Sequence, residues 1–136
     1  KDIEIIERLS ENSRRSVRDI SKATGIRPST VHQRIQRMVK EGVIERFSLK
    51  LSNRAFGENF IVFMLVNTEG MVDNRIFQNK AVKEVFGITG EYDLLLKMKF
   101  RDVEEFNRFV LRFRKSPAIK KTLTMVGTAT IKEELN

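Results

Sequence analysis

The hydrophobic positions divide the chain into two halves with different periods. Residues 1–50 carry apolar side chains three and four positions apart, which is the spacing of amphipathic helices. Residues 59–136 mix strand-like runs with shorter helical segments. Residues 51–58, which contain serine, asparagine and glycine, predict a linker. We therefore expect an N-terminal helical domain over residues 1–50 and a C-terminal α/β domain over residues 59–136.

Three helices are predicted in the N-terminal half. The first spans about residues 2–11, with an apolar stripe made of Ile3, Ile5, Ile6 and Leu9. Ser16 is placed to cap a second helix, with Asp19 three positions later as in a capping box. The inward-facing residues of that helix are Val17, Ile20 and Ala23. Pro28 suits the first turn of a third helix, which Gly42 ends. A short extended segment is expected over residues 43–51.

The C-terminal half predicts the order βαββαβ. The strands are expected at 60–66, 82–89, 92–100 and 119–131, and the helices at 72–80 and 102–115. Gly90 and Glu91 form a natural hairpin turn between the two middle strands. This order folds as an antiparallel sheet with both helices on one face, so the fold class is α+β, with a ferredoxin-like C-terminal domain.

Positive charge is concentrated in the N-terminal half. The chain carries a net charge of +8, and the stretch from Arg14 to Lys40 holds eight basic residues and one acidic residue. A local field of this kind is typical of a protein that binds a polyanion. The spacing of the second and third helices, with a glycine-containing turn, is that of a helix-turn-helix, and the combination predicts binding to double-stranded DNA.

The third helix divides its residues between a core face and a DNA face. Val31, Ile35 and Met38 must face the first two helices, so the polar residues face outward. Arginine can donate two hydrogen bonds to guanine, and glutamine can pair with adenine through one donated and one accepted hydrogen bond. Base readout or the adjacent backbone is expected for Ser29, Thr30, His32, Gln33 and Arg34. Phosphate contacts are expected for Arg37, Lys40, Arg14, Arg15 and Arg18.

Several functional classes are disfavoured by composition. There is no cysteine and only one histidine, His32, so no metal site and no cofactor is expected. Near the hairpin the only carboxylates are Glu84, Glu91 and Asp93, without a base or phosphate loop, so we expect no enzyme. The third strand lacks the aromatic residues that stack RNA bases. No membrane span and no signal-peptide pattern is present, and we expect a cytoplasmic protein.

The first strand of the C-terminal domain is apolar on both faces, from Phe60 to Val66. A sheet with helices on one side should alternate, so its second face is expected to be buried against another copy. The residues assigned to this homodimer interface are Val62, Phe63 and Leu95, where one of Val62 and Phe63 faces the partner and the other the core. A twofold dimer also suits a palindromic operator.

Two motifs resemble the Lrp/AsnC family of regulators, the leucine-responsive or feast/famine group. The first is SVRDISKATGIRPSTVHQRIQRMVKEGVIERF at residues 16–47, and the second is GITGEYDLLLKMKF at residues 87–100. The resemblance implies a winged-helix-like helix-turn-helix domain, dimers that assemble further, to tetramers or octamers, and transcription control modulated by amino acids. The chain departs from the family at Arg27, where a serine often precedes the proline, and in a short segment between the first strand and the hairpin.

The resemblance also places an amino-acid response near the hairpin, at Gly90, Glu91, Tyr92 and Asp93. Asp93 could accept hydrogen bonds from a ligand ammonium, and backbone N–H groups at Gly90 could hold a carboxylate. The alternative is that Gly90 only supplies the turn and Asp93 only caps it. Three functions remain open: an effector-responsive transcription regulator, an architectural DNA-binding protein without a ligand, and an enzyme that carries a DNA-binding domain.

Overall fold

The structure, a computed structural model, describes residues 1–136 and divides into two compact units, residues 1–50 and 51–136. The first unit contains the helices α1 (Asp2–Glu11), α2 (Val17–Thr24) and α3 (Pro28–Lys40). The second contains β1 (Phe60–Thr68), a 3-10 turn (Asn74–Phe77), β2 (Val82–Gly87), β3 (Leu94–Phe100), α4 (Val103–Phe113) and β4 (Ile119–Val126).

The three helices of the first unit form where the apolar period predicts them. The Ser16 hydroxyl accepts a hydrogen bond from the Asp19 backbone N–H at 3.0 Å, which confirms the predicted cap. Gly25 then ends α2 with a φ of +76°, a conformation that glycine adopts without steric cost. The buried core of the unit is Ile5, Ile20, Ile26, Val31 and Met38.

Two inward assignments in this unit are wrong. Ile3 is 72% exposed, and Ala23 is also exposed. Ile3 is two residues before the buried Ile5 and so lies on the other side of α1, and Ala23 lies three residues after the buried Ile20, at the margin of a small core. The predicted extended segment over residues 43–51 forms no strand, because no second segment of the chain lies beside it to complete a hydrogen-bonded ladder.

The second unit is a four-stranded antiparallel sheet in the order β2-β3-β1-β4. α4 packs on one face of it, which completes the α+β, ferredoxin-like architecture. The two central strands and the helix supply most of the core, whose buried residues are Val62, Met64, Val66, Ala81, Leu96, Met98, Phe100, Phe109 and Phe113. Five phenylalanine rings form four contacting pairs between and along the helix and the sheet, with centroids 5.2–5.8 Å apart.

The predicted helix over residues 72–80 is reduced to the 3-10 turn at Asn74–Phe77. The Asp73 carboxylate accepts the Arg75 backbone N–H at 3.0 Å, and this local bond competes with α-helix formation. The hairpin strands are also shorter than predicted, and residues 88–93 form the connection. The last strand ends at Val126 rather than at Ile131.

The two faces of β1 are distinguished by burial. Val62 is fully buried against the α4 side of the sheet, whereas Phe63 lies on the opposite face with its neighbours Ile61 and Leu65. Of the residues assigned to a dimer interface, Val62 therefore belongs to the core of its own unit. Phe63 and Leu95, which alternate with core residues, lie on the face away from α4.

The C-terminal segment and the predicted linker both contact that outer face. Glu133 forms ion pairs with Lys97 at 2.5 Å and with Lys99 at 2.8 Å. Lys99 also donates to the Asn53 side chain at 2.7 Å, and Lys83 pairs with Glu58 at 2.5 Å. Residues 127–134 thus lie along one end of the sheet and enclose an open groove of about 880 Å³. No helix of the chain has the length and apolar character that a membrane crossing requires.

Candidate nucleic-acid interface and hairpin site

The solvent face of α3 is a continuous polar stripe. Ser29, Gln33, Gln36 and Lys40 recur at intervals of four, three and four residues, and all four are exposed. His32 and Arg37 flank the stripe and are exposed as well. The opposite side of the helix carries the buried Val31 and Met38, so packing fixes which groups point to solvent.

Arg34 lies apart from this stripe. Its guanidinium forms an ion pair with the Asp2 carboxylate of α1 at 3.2 Å, and its side chain is 32% exposed. Thr30, on the same flank, is half-buried. The sequence pattern places both residues on the polar half of the helix, but the structure places them beside the core rather than at the centre of the exposed face.

The basic residues before α3 fall into two groups. Arg15 is held by Glu11 at 3.2 Å. Arg14 and Arg18 are exposed and form no ion pair. The same holds for Lys22 and Arg27, which were not assigned a role from the sequence. A field of unpaired cations around a polar stripe favours a polyanion whose backbone and edges can both be contacted.

The beginning of α3 leaves its first N–H groups without a side-chain acceptor. Arg27 occupies the N-cap position and its side chain makes no capping hydrogen bond, while Pro28 takes the first helical position. Ser16 shows the contrast, because it caps α2 through its hydroxyl. The uncapped N–H groups can donate hydrogen bonds to a phosphate oxygen, and the positive end of the helix dipole favours its negative charge.

The hairpin connection over residues 88–93 is fixed by hydrogen bonds to β1. Gly90 has a φ of +113°, which a residue with a side chain rarely adopts. The Asn67 side-chain amide donates to the Glu91 carbonyl at 2.9 Å, and the Asp93 backbone N–H donates to the Val66 carbonyl at 2.9 Å. The connection is therefore a defined turn rather than a loose loop.

The Asp93 carboxylate is already engaged within the chain. One of its oxygens accepts from the Thr68 backbone N–H at 2.7 Å and from the Thr68 hydroxyl at 3.0 Å. These two hydrogen bonds lower the pKa of Asp93 below its usual range, so the group is anionic at neutral pH. Next to it, Lys121 lies 5.6 Å from the centre of the Tyr92 ring. The four hairpin residues are neighbours at one end of the sheet, as the sequence requires.

The outer face of the sheet carries an apolar patch that crosses all four strands. The strand registers place Phe86, Leu95, Leu65 and Leu123 in one row, with Phe63 beside Met125 in the next row. Phe86 is 55% exposed, Leu123 45% and Met125 42%. We refer to Phe63, Leu65, Phe86, Leu95, Leu123 and Met125 as the outer-face patch.

Sequence reasoning missed part of both surfaces. Gln36 lies at the middle of the α3 stripe, but only the residues nearer the helix start were assigned to base contacts. Its position seven residues after Ser29 is the signal that could have found it. Phe86, Leu123 and Met125 were missed because the strand order and register that bring them beside Phe63 and Leu95 are not visible in one strand alone.

Both units match known protein families. The winged helix-turn-helix DNA-binding family matches residues 1–45, and the Lrp/AsnC ligand-binding domain family matches residues 62–136. An HTH-type transcriptional regulator of Pyrococcus horikoshii is 35% identical, with 98% of this chain and 95% of that protein covered. The HTH-type transcriptional regulator FL11 of the same organism is 32% identical over 97% and 90% of the two chains.

Solved structures show the same architecture. A transcriptional regulator of Neisseria meningitidis in complex with L-methionine superposes with a TM-score of 0.88 at 25% identity, covering 98% of this chain and 92% of that chain. The AsnC family regulator of Agrobacterium tumefaciens superposes with a TM-score of 0.89 at 24% identity, covering 99% and 93% of the two chains. The two domain matches, together with the Pyrococcus regulators that match over nearly the whole chain, show that the chain belongs to the Lrp/AsnC family of DNA-binding transcription regulators.

Proposed function

We propose that the α3 stripe contacts base edges in the major groove and thereby selects an operator. The observation that carries this proposal is the exposed row of Ser29, Gln33 and Gln36, packed from behind and surrounded by unpaired cations. The glutamine amides can form paired hydrogen bonds with adenine. Arg14, Arg18, Arg37 and Lys40 supply phosphate contacts that set the register on the duplex. Arg15 and Arg34 contribute through their ion pairs within the helical unit.

The proposal includes a homodimer built on the outer-face patch. Six apolar side chains on a face opposite the helix layer form a contiguous surface that a second copy can cover. A twofold pairing of identical sheets gives two helix-turn-helix units, which matches the two half-sites of a palindromic operator. Dimers can assemble further to tetramers or octamers. Since its target is the genome, we place the protein in the cytoplasm.

The proposed effector is a free amino acid that binds at the hairpin of Gly90, Glu91, Tyr92 and Asp93. The support is chemical: an ionised carboxylate, a glycine with exposed backbone and an aromatic ring lie together at the sheet end. The regulator of Neisseria meningitidis, 25% identical, was solved with L-methionine, and a feast or famine regulatory protein of Mycobacterium tuberculosis of the same fold was solved with the same ligand.

One observation favours a second function, an architectural DNA-binding protein that needs no ligand. Thr68 already donates two hydrogen bonds to one oxygen of Asp93, which is what a carboxylate that only caps a turn would do. In this alternative the hairpin stabilises the sheet, and DNA binding is constant in all nutrient conditions.

The experiment that separates these functions is the selection of bound sequences from random DNA, repeated with and without pooled amino acids. An effector-responsive regulator enriches a defined site, and the enrichment changes with amino acids. An architectural protein enriches the same sequences in both conditions. Failure to enrich any site would contradict base contacts by α3. Calorimetric titration of single amino acids then identifies the ligand.

A further inference from the structure

A second concentration of positive charge lies in the C-terminal unit. Between Glu105 and Ile131 the chain has six basic residues and no acidic residue. They lie on α4, on the turn that follows it and at the start of β4. Lys121 is the one that faces the Tyr92 ring. The other five, which we call the α4 basic patch, are Arg108, Arg112, Arg114, Lys115 and Lys120.

The α4 basic patch is exposed and carries no internal counterion. All five side chains are exposed, and none takes part in an ion pair. Elsewhere in the same unit, carboxylates pair with Arg75, Lys83, Lys97, Lys99 and Arg101. Carboxylates of the chain thus neutralise those five cations, whereas the cations of the α4 basic patch remain unpaired and can bind an external anion.

Two of these cations lie on α4 and two on the turn that follows it. Arg108 and Arg112 are four residues apart on one exposed flank of the helix, beside the buried Phe109 and Phe113, and are separated by about 6 Å along the axis at about 1.5 Å per residue. Arg114 and Lys115 follow directly after the helix ends. The negative end of the α4 dipole accounts for one or two cations in the last turn. It does not account for Arg108, more than a turn earlier, or for Lys120 on the next strand.

We propose that the α4 basic patch binds the phosphate backbone of DNA beyond the operator half-sites, on the same duplex that α3 contacts. The inference rests on the DNA binding proposed above for the helix-turn-helix. Duplex DNA presents about one negative charge per 1.7 Å of its axis, so the length of the patch faces several phosphates. Each neutralised phosphate releases counterions, which is favourable without any base contact.

DNA is favoured over an acidic protein segment because it is already tethered to this chain. Once α3 is bound, the flanking duplex belongs to the same complex as this chain, so its effective concentration for a weak patch of five cations on the chain is high. The patch also lacks the paired carboxylates and apolar anchors that a specific protein interface uses, apart from the exposed Leu111.

The test compares two duplexes that contain the selected operator, one of about 20 base pairs and one about three times longer. The patch variant combines Arg112→Gln, Lys115→Gln and Lys120→Gln. We expect the parent chain to bind the longer duplex more tightly and with a steeper salt dependence. The patch variant should bind the short duplex as the parent does. On the long duplex its Kd should rise roughly tenfold, with a salt slope shallower by about 2–3.

The control variant removes the same charge elsewhere, through Arg75→Gln, Lys80→Gln and Arg101→Gln. Both variants have a net charge of +5 instead of +8, so a difference between them is local. The control should keep the parent's preference for the long duplex. A preference that survives in the patch variant, or is equally lost in the control, overturns the proposal. Parent protein that does not bind even the short duplex contradicts the function of the helix-turn-helix instead.

Discussion

At the scale of single residues, Gln36 is the most informative position on α3. It lies at the middle of the exposed stripe, and its side-chain amide forms no hydrogen bond within the chain. We expect Gln36→Ala to weaken binding to the selected operator by about 1–3 kcal/mol, because a paired amide contact to a base is lost. Gel-shift titration against the operator and against single-base variants measures both the affinity and the relaxed preference.

Two comparisons make this prediction specific. Arg37→Ala should weaken operator and unrelated DNA alike and reduce the salt slope by about 1, as expected for a phosphate contact. Arg34→Ala should act through α1, so Asp2→Ala should reproduce its effect. If Asp2→Ala leaves operator binding intact while Arg34→Ala removes it, then Arg34 contacts bases directly and its ion pair is incidental.

Asp93 is the residue on which the effector proposal depends. We expect Asp93→Ala to abolish any change that an amino acid causes in DNA binding or assembly, because the anionic partner of the ligand ammonium is gone. Binding to DNA without ligand should persist. Melting-temperature shifts with millimolar amino acids, measured on parent and variant, test both statements.

A second variant separates ligand binding from turn stability. Thr68→Val removes the hydroxyl that donates to Asp93 and keeps both the backbone hydrogen bond and the carboxylate. It should lower stability slightly and leave the ligand response in place. If Thr68→Val and Asp93→Ala suppress the response equally, the hairpin acts through its fold and Asp93 is not a ligand contact.

At the scale of elements, the C-terminal segment is held to the sheet by one carboxylate. Lys97 and Lys99 hold the pKa of Glu133 well below its usual value of 4.5, with burial opposing them and Asn53 assisting. Because the pKa of Glu133 is lower in the folded state than in the unfolded state, the carboxylate stabilises the fold at any pH above its ordinary pKa. This contribution is lost as the pH falls from the ordinary pKa toward the lowered one. Glu133→Gln should therefore cost about 1–3 kcal/mol at neutral pH, since two lysines lose their partner.

Denaturant unfolding at several pH values between about 7 and about 3 checks this prediction. The difference between parent and Glu133→Gln should stay nearly constant down to about pH 5 and shrink below it. Glu134→Gln is the matched control, because Glu134 is exposed and forms no ion pair. A pH-independent difference would mean that Glu133 stabilises the segment by packing rather than by charge.

The same scale shows what the sequence could predict. The elements with strong apolar period, α1 to α4 and the central strands, form where expected, because burial of one face determines both their type and their orientation. The weak elements were not predictable. In place of the helix predicted over residues 72–80 there is only a 3-10 turn, which begins at the local hydrogen bond of Asp73. The strand predicted over residues 43–51 has no pairing partner.

Side-chain partners were the least predictable feature of the candidate sites. Arg34 was assigned to bases on helix geometry alone, and its contact with Asp2 joins residues 32 positions apart. The bond from Thr68 to Asp93 likewise depends on the register between β1 and β3. Patterns within one element do not contain such long-range pairings.

At the scale of the whole molecule, the proposed association depends on the outer-face patch. Phe63→Lys should dissociate the proposed dimer, because the interface would have to bury an unpaired ammonium at a cost of several kcal/mol. Light scattering at micromolar concentration should then show a monomer that is still folded. Leu111→Lys, a charge introduced at an exposed apolar site on α4, should leave the dimer unchanged. A parent chain that is monomeric under these conditions contradicts the proposed interface.

The sheet has two free borders, β2 and β4, and both are protected by charge. Lys83 and Glu84 lie on β2, and Lys120 and Lys121 lie on β4. A strand from a neighbouring molecule that added to either border would have to strip water from these groups and, at β4, approach two adjacent positive charges. Edge-on polymerisation into fibres is therefore opposed even where the protein is crowded.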